Sequence, residues 1–111
     1  MEQLSPRDLA DWLDASRTDP ARPAPYLLDV RETWEVEHCP MPGAESMPMA
    51  TIPARLDELP QDRPLVCICH HGVRSQQVAY FLERQGFTQV INMQGGVAAW
   101  ADLVDPSMPR Y

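Results

Sequence analysis

Short runs of apolar residues recur along the chain and predict its strands. Residues 65–68 are apolar without interruption, which is typical of a strand buried on both faces of a sheet. Residues 26–30 and 89–93 have a similar apolar character and predict two further strands. Prolines interrupt residues 38–60 and leave room there for only a very short edge strand near Met47.

Helical segments alternate with these strands. Ser5 is expected to cap the first helix, with Asp8 reaching back to it, and an apolar face carries this helix to about residue 15. Ser75 is expected to cap a longer helix that stops at Gly86. Shorter helical segments are predicted at residues 32–37, 54–59 and 97–103.

This alternation predicts an α/β fold with a mostly parallel sheet. A chain of 111 residues lies within the usual size of one domain, and the sequence contains no linker and no internal repeat. We therefore expect a single domain that spans residues 1–111. In parallel sheets of this kind, ligands bind beyond the carboxyl ends of the strands. Cys69 follows directly after the strand predicted at residues 65–68, so it lies at such an end.

The segment after this strand combines a thiol with a loop suited to anions. Its sequence is Cys69-His70-His71-Gly72-Val73-Arg74-Ser75. Successive amides of a short loop can converge on one point, and the positive end of the following helix adds to the same field. Such surroundings favour the thiolate, which is the reactive form of cysteine. We therefore expect Cys69 to be partly ionised near neutral pH and to act as a nucleophile.

Three blocks of sequence relate the chain to a known family. They are LDVRE at residues 28–32 with PGA at 42–44, CHHGVRS at 69–75, and GF at 86–87 with GGVAAW at 95–100. In this order and spacing, the chain resembles a single rhodanese domain, the family of thiosulfate sulfurtransferases and persulfide carriers. The resemblance implies a five-stranded, mainly parallel sheet with helices on both faces. It also implies that Cys69 accepts a sulfane sulfur and becomes a persulfide.

The loop residues that follow Cys69 are the predicted substrate contacts. Arg74 closes the loop, and its planar donor fork suits a sulfonate or a carboxylate, although an arginine at a helix start can equally be a surface residue. Gly72 is expected to permit a positive φ or the close approach of a ligand. The predicted contacts, made through amides or side chains, are His70, His71, Gly72, Val73, Arg74 and Ser75.

His70 and His71 are open to three interpretations. A histidine beside a cysteine can act as a general base, bind a metal or form a wall of the loop. Adjacent residues in a tight loop point in different directions, so at most one ring can approach the thiol. The spacing of cysteines and histidines in this segment matches no zinc pattern, and we predict neither a metal nor a cofactor. We interpret both histidines as loop walls that supply positive potential and shape.

Three more residues have a structural and a functional interpretation. Asp29 and Arg31 lie at the end of a predicted strand, where either side chain could act on a substrate. Their place in the family resemblance implies instead that they brace neighbouring loops. Cys39 could resolve a persulfide, or it could be a packed or exposed residue of the proline-rich segment.

The charge balance and the cysteine count limit partners and location. Asp and Glu number 16 against 9 basic residues, all of them arginine, and the formal net charge is -7. This balance argues against nucleic acid as a partner. No apolar run approaches the length of a membrane span and no secretory signal is visible, so no membrane is expected. Three cysteines, an odd number, indicate free thiols, and we expect a cytoplasmic protein.

Several classes of function fit these observations to different degrees. The favoured hypothesis is a sulfurtransferase that moves a sulfane sulfur from thiosulfate or a persulfide donor, through Cys69, to a thiol or cyanide. Its partners would be a small sulfur-containing anion and a protein that donates or accepts persulfide. The alternative is a non-catalytic or partner-charged sulfur carrier or interaction module, against which the presence of both Cys69 and Arg74 argues. A cysteine phosphatase or arsenate reductase fits less well, because four residues separate Cys69 from Arg74 and the phosphatase pattern needs one more.

Overall fold

Five strands form one sheet in the computed structural model, which describes residues 1–111. The strands are β1 (Glu2–Leu4), β2 (Tyr26–Asp29), β3 (Glu45–Ser46), β4 (Leu65–Ile68) and β5 (Val90–Met93). Their order across the sheet is β1-β5-β4-β2-β3, and every pair of neighbours is parallel. The expected five-stranded parallel sheet is confirmed, and its fully buried central strand is β4.

Helices cover both faces of this sheet, as expected. They are α1 (Pro6–Ser16), α2 (Thr33–His38), α3 (Val73–Arg84) and α4 (Gly96–Leu103), with 3-10 turns at Met49–Ala54 and Leu56–Glu58. The paired residues Leu28 and Cys67 face an apolar cluster completed by α3 and the first 3-10 turn. The next pair, Leu27 and Val66, faces the opposite cluster, which α1 and α4 complete. The strand period of two therefore divides the core into two layers.

The predicted strands are all present, and the structure adds one that the apolar pattern does not predict. β1 has only three residues, and its first two side chains, Glu2 and Gln3, are exposed, so it has no apolar signature. It forms because its backbone pairs with β5, where Glu2 lies opposite Ile91. The short edge strand predicted near Met47 is confirmed as β3, which pairs with the end of β2.

The prediction that Ser75 caps α3 is wrong. The N-cap is Gly72, whose φ of 92° lies in the left-handed region, and the helix begins at Val73. Because the chain already turns at the glycine, the helix starts three residues earlier than a Ser75 cap would place it, and Ser75 falls in its first turn. At α1, Ser5 is the cap as predicted, and its hydroxyl accepts a hydrogen bond from the Asp8 amide at 3.1 Å. The expected return bond from the Asp8 carboxylate is not present.

The topology brings several chain segments to one edge of the sheet. Because all the strands are parallel, the carboxyl ends of β2, β4 and β5 lie at the same edge. The amino-terminal turns of α3 and α4 follow β4 and β5 there. Cys69 comes directly after β4 and lies where ligands bind in parallel sheets. No helix of the chain is long and apolar enough to cross a membrane.

Candidate active site

The Cys69 sulfur lies buried at the start of the loop between β4 and α3. The residue is only 1% exposed. The Gly72 amide donates a hydrogen bond to Sγ at 3.0 Å, and the Ser75 hydroxyl oxygen lies 3.3 Å from the same sulfur. One amide and one hydroxyl of the predicted loop therefore contact the sulfur directly.

Other backbone amides of the loop have N–H groups that are free to donate. Five of them make no hydrogen bond to any acceptor of the chain: those of His70, His71, Val73, Arg74 and Ser75. The last three open α3, and first-turn amides have no partner within a helix. They also lie at the positive end of the helix dipole. The loop thus offers several donors for negative charge near Sγ, and the contact of these residues with substrate stays a prediction.

The first turn of α4 holds the loop from the other side. The Val97 amide donates to the Cys69 carbonyl at 2.9 Å, and the Ala98 amide donates to the His70 carbonyl at 3.0 Å. A carbonyl and the amide N–H that follows it point in opposite directions, so the next loop amides point away from α4. Gly96 makes this approach possible, because a Cβ there would lie 2.3 Å from both carbonyl oxygens.

Two glycines of neighbouring segments meet at the loop. The positive φ expected at Gly72 is confirmed, and a Cβ there would lie 3.0 Å from the Gly95 nitrogen, while the approach of a ligand stays a prediction. The sequence indicates Gly95 and Gly96 only as the start of the last helix and as part of the family resemblance, and their place beside the Cys69 loop is not predicted. The signal that could reveal them is a pair of glycines between a strand and a helix, which is typical of close backbone approach.

Arg74 pairs with a carboxylate that the sequence analysis misses. Its Nη1 and Nη2 donate to the two carboxylate oxygens of Glu35 at 2.7 and 2.8 Å. These bonds are the main reason that the pKa of Glu35 falls to about 2. Arg74 keeps three further N–H donors, so its predicted contact with an anion stays a prediction. Glu35 could be found from its spacing to Glu32, because the two form a capping box at the start of α2.

Asp29 and Arg31 brace neighbouring segments, as predicted. Arg31 is fully buried, and its Nε and Nη2 donate to the Asp29 carboxylate, the shortest distance being 2.7 Å. Nη2 also donates to the Cys39 carbonyl at 2.8 Å, and Nη1 donates to the Tyr111 hydroxyl at 2.9 Å. Burial alone would lower the pKa of Arg31, but its bonds to Asp29 and Tyr111 raise that pKa above the usual value. One buried cation thus joins β2, the end of α2 and residue 111.

His70 and His71 stack on one another, and neither ring hydrogen-bonds to the sulfur. Their ring centroids lie 4.1 Å apart with an interplanar angle of 11°. The Tyr111 ring also stacks on His70, at 4.0 Å. Burial, and then the neighbouring His71, lowers the pKa of His70, which favours the neutral ring. This geometry fits the interpretation as loop walls, while a neutral His70 adds little positive potential.

Residues 109–111 border a cavity beside the loop. The cavity has a volume of about 190 Å³, and its lining includes Cys39, His70 and Tyr111. All three cysteines are unpaired and buried. Burial, and then the nearby Cys69, raises the pKa of the Cys67 thiol, so Cys67 stays protonated. A resolving role of Cys39 stays a prediction. No group of three or more His, Cys, Asp or Glu side chains is arranged to hold a metal ion.

Comparisons with known proteins agree with this geometry. The family model described as "Rhodanese-like domain" matches residues 5–103. The "Probable adenylyltransferase/sulfurtransferase MoeZ" of Mycobacterium tuberculosis is 37% identical over 112 residues, which is 97% of this chain but only 26% of MoeZ. The "Thiosulfate sulfurtransferase GlpE" of Pseudoalteromonas translucida is 35% identical over 84 residues, 76% of this chain and 80% of that protein. The crystal structure of a rhodanese-like domain protein from Staphylococcus aureus superposes with a TM-score of 0.81 at 27% identity, over 100% of this chain and 99% of that one.

Proposed function

Because the chain belongs to the rhodanese-like domain family and its relatives include sulfurtransferases, we propose that it transfers sulfane sulfur through a persulfide on Cys69. Sulfur transfer in general follows from the family and from these relatives. The persulfide, its donor and its acceptor are the proposal, as is a single domain over residues 1–111. The observation that carries it is the buried Cys69 sulfur beside a loop with five amides free to bind an anion.

In the proposed loading step, the Cys69 thiolate attacks the outer sulfur of thiosulfate. A bond forms between Sγ and that sulfur, the bond from that sulfur to the sulfonate breaks, and sulfite leaves with the electron pair. The free amides of the loop, with the remaining donors of Arg74, hold the sulfonate oxygens. Support for this step comes from the free amides of the loop that carries Cys69 and from the name of GlpE, a thiosulfate sulfurtransferase.

In the proposed unloading step, a second nucleophile takes the terminal sulfur. Cyanide or a thiolate attacks that sulfur, the S–S bond of the persulfide breaks, and the electron pair returns to Cys69 as a thiolate. The product is thiocyanate or a new persulfide. The Gly72 amide donates to Sγ and so stabilises the thiolate as a leaving group. The first half-reaction forms the Cys69 persulfide and the second consumes it, so the kinetics are double displacement.

A second candidate is a carrier that a partner protein charges with sulfur. One observation favours it over direct use of thiosulfate: both terminal nitrogens of Arg74 already bond to Glu35. A persulfide on an extended cysteine of another protein could reach Sγ without needing a free cation at the loop. The persulfide on Cys69 is common to both candidates.

A cysteine phosphatase is a third and weaker candidate. Its loop must surround a tetrahedral phosphate, whereas this loop has one residue fewer between the cysteine and the arginine. A shorter ring of amides fits one sulfur atom better. We expect no hydrolysis of an aryl phosphate, and hydrolysis that depends on Cys69 would favour the phosphatase instead.

We infer a cytoplasmic site of action, with neither nucleic acid nor membrane as a partner. The three cysteines are unpaired, and thiols persist in a reducing compartment. The net charge of -7 repels the phosphates of nucleic acid. Fractionation of cells that express the chain would test this location.

Two-substrate kinetics with thiosulfate and cyanide test the proposed function. Parallel lines in a double-reciprocal plot are expected, and intersecting lines would exclude a free persulfide enzyme. Cys69→Ser should be inactive, while Cys39→Ala serves as a matched control for loss of a buried thiol. If the wild type is inactive with thiosulfate but forms thiocyanate from a low-molecular-weight persulfide, the partner-charged carrier is the better assignment.

A further inference from the structure

Asn92 is a buried polar residue that the proposed reaction does not use. It lies in β5 and is 1% exposed. Its Oδ1 accepts a hydrogen bond from the Ser75 hydroxyl at 2.5 Å. Its Nδ2 donates to the Gly72 carbonyl at 3.3 Å and to the Gln3 side-chain carbonyl at 3.0 Å. Since Ser75 and Gly72 both contact the Cys69 sulfur, Asn92 holds both contacts without touching Sγ.

The Gly72 carbonyl determines which way the Asn92 amide faces. If the amide were reversed, Oδ1 would lie beside the Gly72 carbonyl oxygen, and two acceptors form no hydrogen bond. Nδ2 therefore faces Gly72, and Oδ1 faces Ser75. Because Oδ1 can only accept, the hydroxyl proton of Ser75 lies between the two oxygens.

Ser75 has a single hydroxyl proton, so Asn92 and Cys69 compete for it. While this proton bonds to Oδ1, the hydroxyl oxygen turns a lone pair toward Sγ, which favours a thiol that can donate. When Cys69 is a thiolate, Sγ accepts only, and the Ser75 proton forms a stronger, charge-assisted bond if it turns toward the sulfur. Oδ1 then loses its donor in a buried site, which is unfavourable. The position of Asn92 therefore opposes ionisation of Cys69.

We propose that Asn92 is a positioning residue that sets the balance between thiol and thiolate at Cys69 by retaining the proton of Ser75. The inference rests on the proposed function only in taking Cys69 as the sulfur carrier. In a persulfide, the negative charge lies on the terminal sulfur, and Sγ is uncharged. Asn92 thus favours the loaded form over the empty thiolate, which helps the protein to keep its sulfur until an acceptor arrives.

Other titratable groups face Cys69 from several elements, and Asn92 bonds to none of them. They are Cys67 of β4, Arg74 of α3 with its partner Glu35 of α2, and His70 and His71 of the loop. Their contacts do not include the Ser75 hydroxyl. Substitution of Asn92 therefore changes which acceptor the Ser75 proton bonds to and leaves these charges in place.

The pH profile of Cys69 alkylation by iodoacetamide tests the proposal, with the product measured by peptide mass spectrometry. Burial of the sulfur lowers the alkylation rate by the same factor at every pH, so it does not move the midpoint of the pH profile. Asn92→Ala frees the Ser75 proton for the thiolate and should lower the midpoint by about one pH unit. Asn92→Leu is close in size and also lacks the acceptor, so it should lower the midpoint to a similar extent. Gln3→Ala removes only the outer partner of Asn92 and should leave the midpoint unchanged.

Ser75→Ala provides the background that separates positioning from a purely structural role. Ser75→Ala removes the proton for which Asn92 and Cys69 compete. The double variant Ser75→Ala/Asn92→Ala should therefore have the same midpoint as Ser75→Ala. An equal shift with and without Ser75, or no shift in either Asn92 variant, would overturn the proposal. Asn92→Leu carries the test if Asn92→Ala does not fold. Alkylation needs no sulfur donor, so the result is independent of whether thiosulfate is a substrate.

Discussion

The two sides of the Cys69 loop are held by different kinds of interaction. Toward β5 and α4 the contacts are neutral hydrogen bonds, such as those of Ser75 with Asn92 and of the α4 amides with loop carbonyls. Toward α2 the contact is the ion pair of Arg74 with Glu35, and behind it the buried pair of Arg31 with Asp29 holds the end of α2 and residue 111. The charged side fixes where the loop lies, while the neutral side surrounds the sulfur.

This division suits a sulfur whose charge changes during the reaction. A fixed charge in direct contact with Sγ would favour one protonation state strongly, because coulombic energy is large in a buried site. A hydroxyl such as that of Ser75 can instead turn its proton toward or away from the sulfur. The ion pairs stabilise the loop without contacting the sulfur. The hydroxyl of Ser75, which can reorient, contacts the sulfur itself.

The largest effect is expected from breaking the charged side at Arg31. Arg31→Met leaves the Asp29 carboxylate buried without its partner, and the free energy of unfolding should fall by about 4 kcal/mol. Chemical denaturation measures this loss. Asp29→Asn/Arg31→Met removes the stranded charge and should recover much of it. If Arg31→Met is as stable as the wild type, the charged side is not the main support of the loop.

A smaller effect is expected on the neutral side at Gly96. In Gly96→Ala the new Cβ meets two loop carbonyls at a positive φ, so we expect a loss of about 3 kcal/mol and of sulfur transfer. Gly86→Ala is the matched control, since Gly86 also has a positive φ but a Cβ there meets nothing within 4 Å. It should lose only about 1 kcal/mol and keep its activity. Equal losses in both variants, by thermal denaturation, would mean that close approach at Gly96 is unimportant.

The smallest effect is expected at the pair of buried Glu35 and partly exposed Arg74. Glu35→Gln should lower the free energy of unfolding by about 1 kcal/mol at neutral pH, because solvent screens the partly exposed arginine. The pKa of Glu35 is lowered from 4.5 to about 2, so its stabilisation is complete above pH 4.5 and is lost as pH falls through about 2. The free energies of unfolding of the wild type and of Glu35→Gln, measured in urea, should therefore converge as the pH falls across this range. A difference that persists undiminished at the acid end would contradict the ion pair.

The features that the sequence predicts best are local ones. Residues 65–68 match β4 to the residue, because an unbroken apolar run specifies a buried strand without reference to its neighbours. Gly72 is likewise predicted from its own loop. β1 escapes prediction because it owes its existence to pairing with β5, from the other end of the chain. Its own side chains are mostly exposed.

The parts of the site that the sequence does not predict come from other elements. Glu35, Asn92 and Gly96 reach the Cys69 loop from α2, β5 and α4, and no local spacing connects them to it. Ser75 shows the same limit. Its place after the loop indicates a helix cap, but the left-handed Gly72 starts the helix earlier, and the hydroxyl turns to the sulfur and to Asn92. Only the tertiary structure contains that information.

The central claim is that Cys69 carries the transferred sulfur, and intact mass spectrometry tests it most directly. The wild type and Cys69→Ser are incubated with thiosulfate, and their intact masses are recorded before and after treatment with cyanide. The thiocyanate released into solution is assayed separately. The wild type is expected to gain one sulfur atom, which cyanide then removes as thiocyanate, and the variant is expected to do neither. A sulfur gained equally by the variant, or a wild type that gains none from thiosulfate or from any persulfide donor, would contradict it.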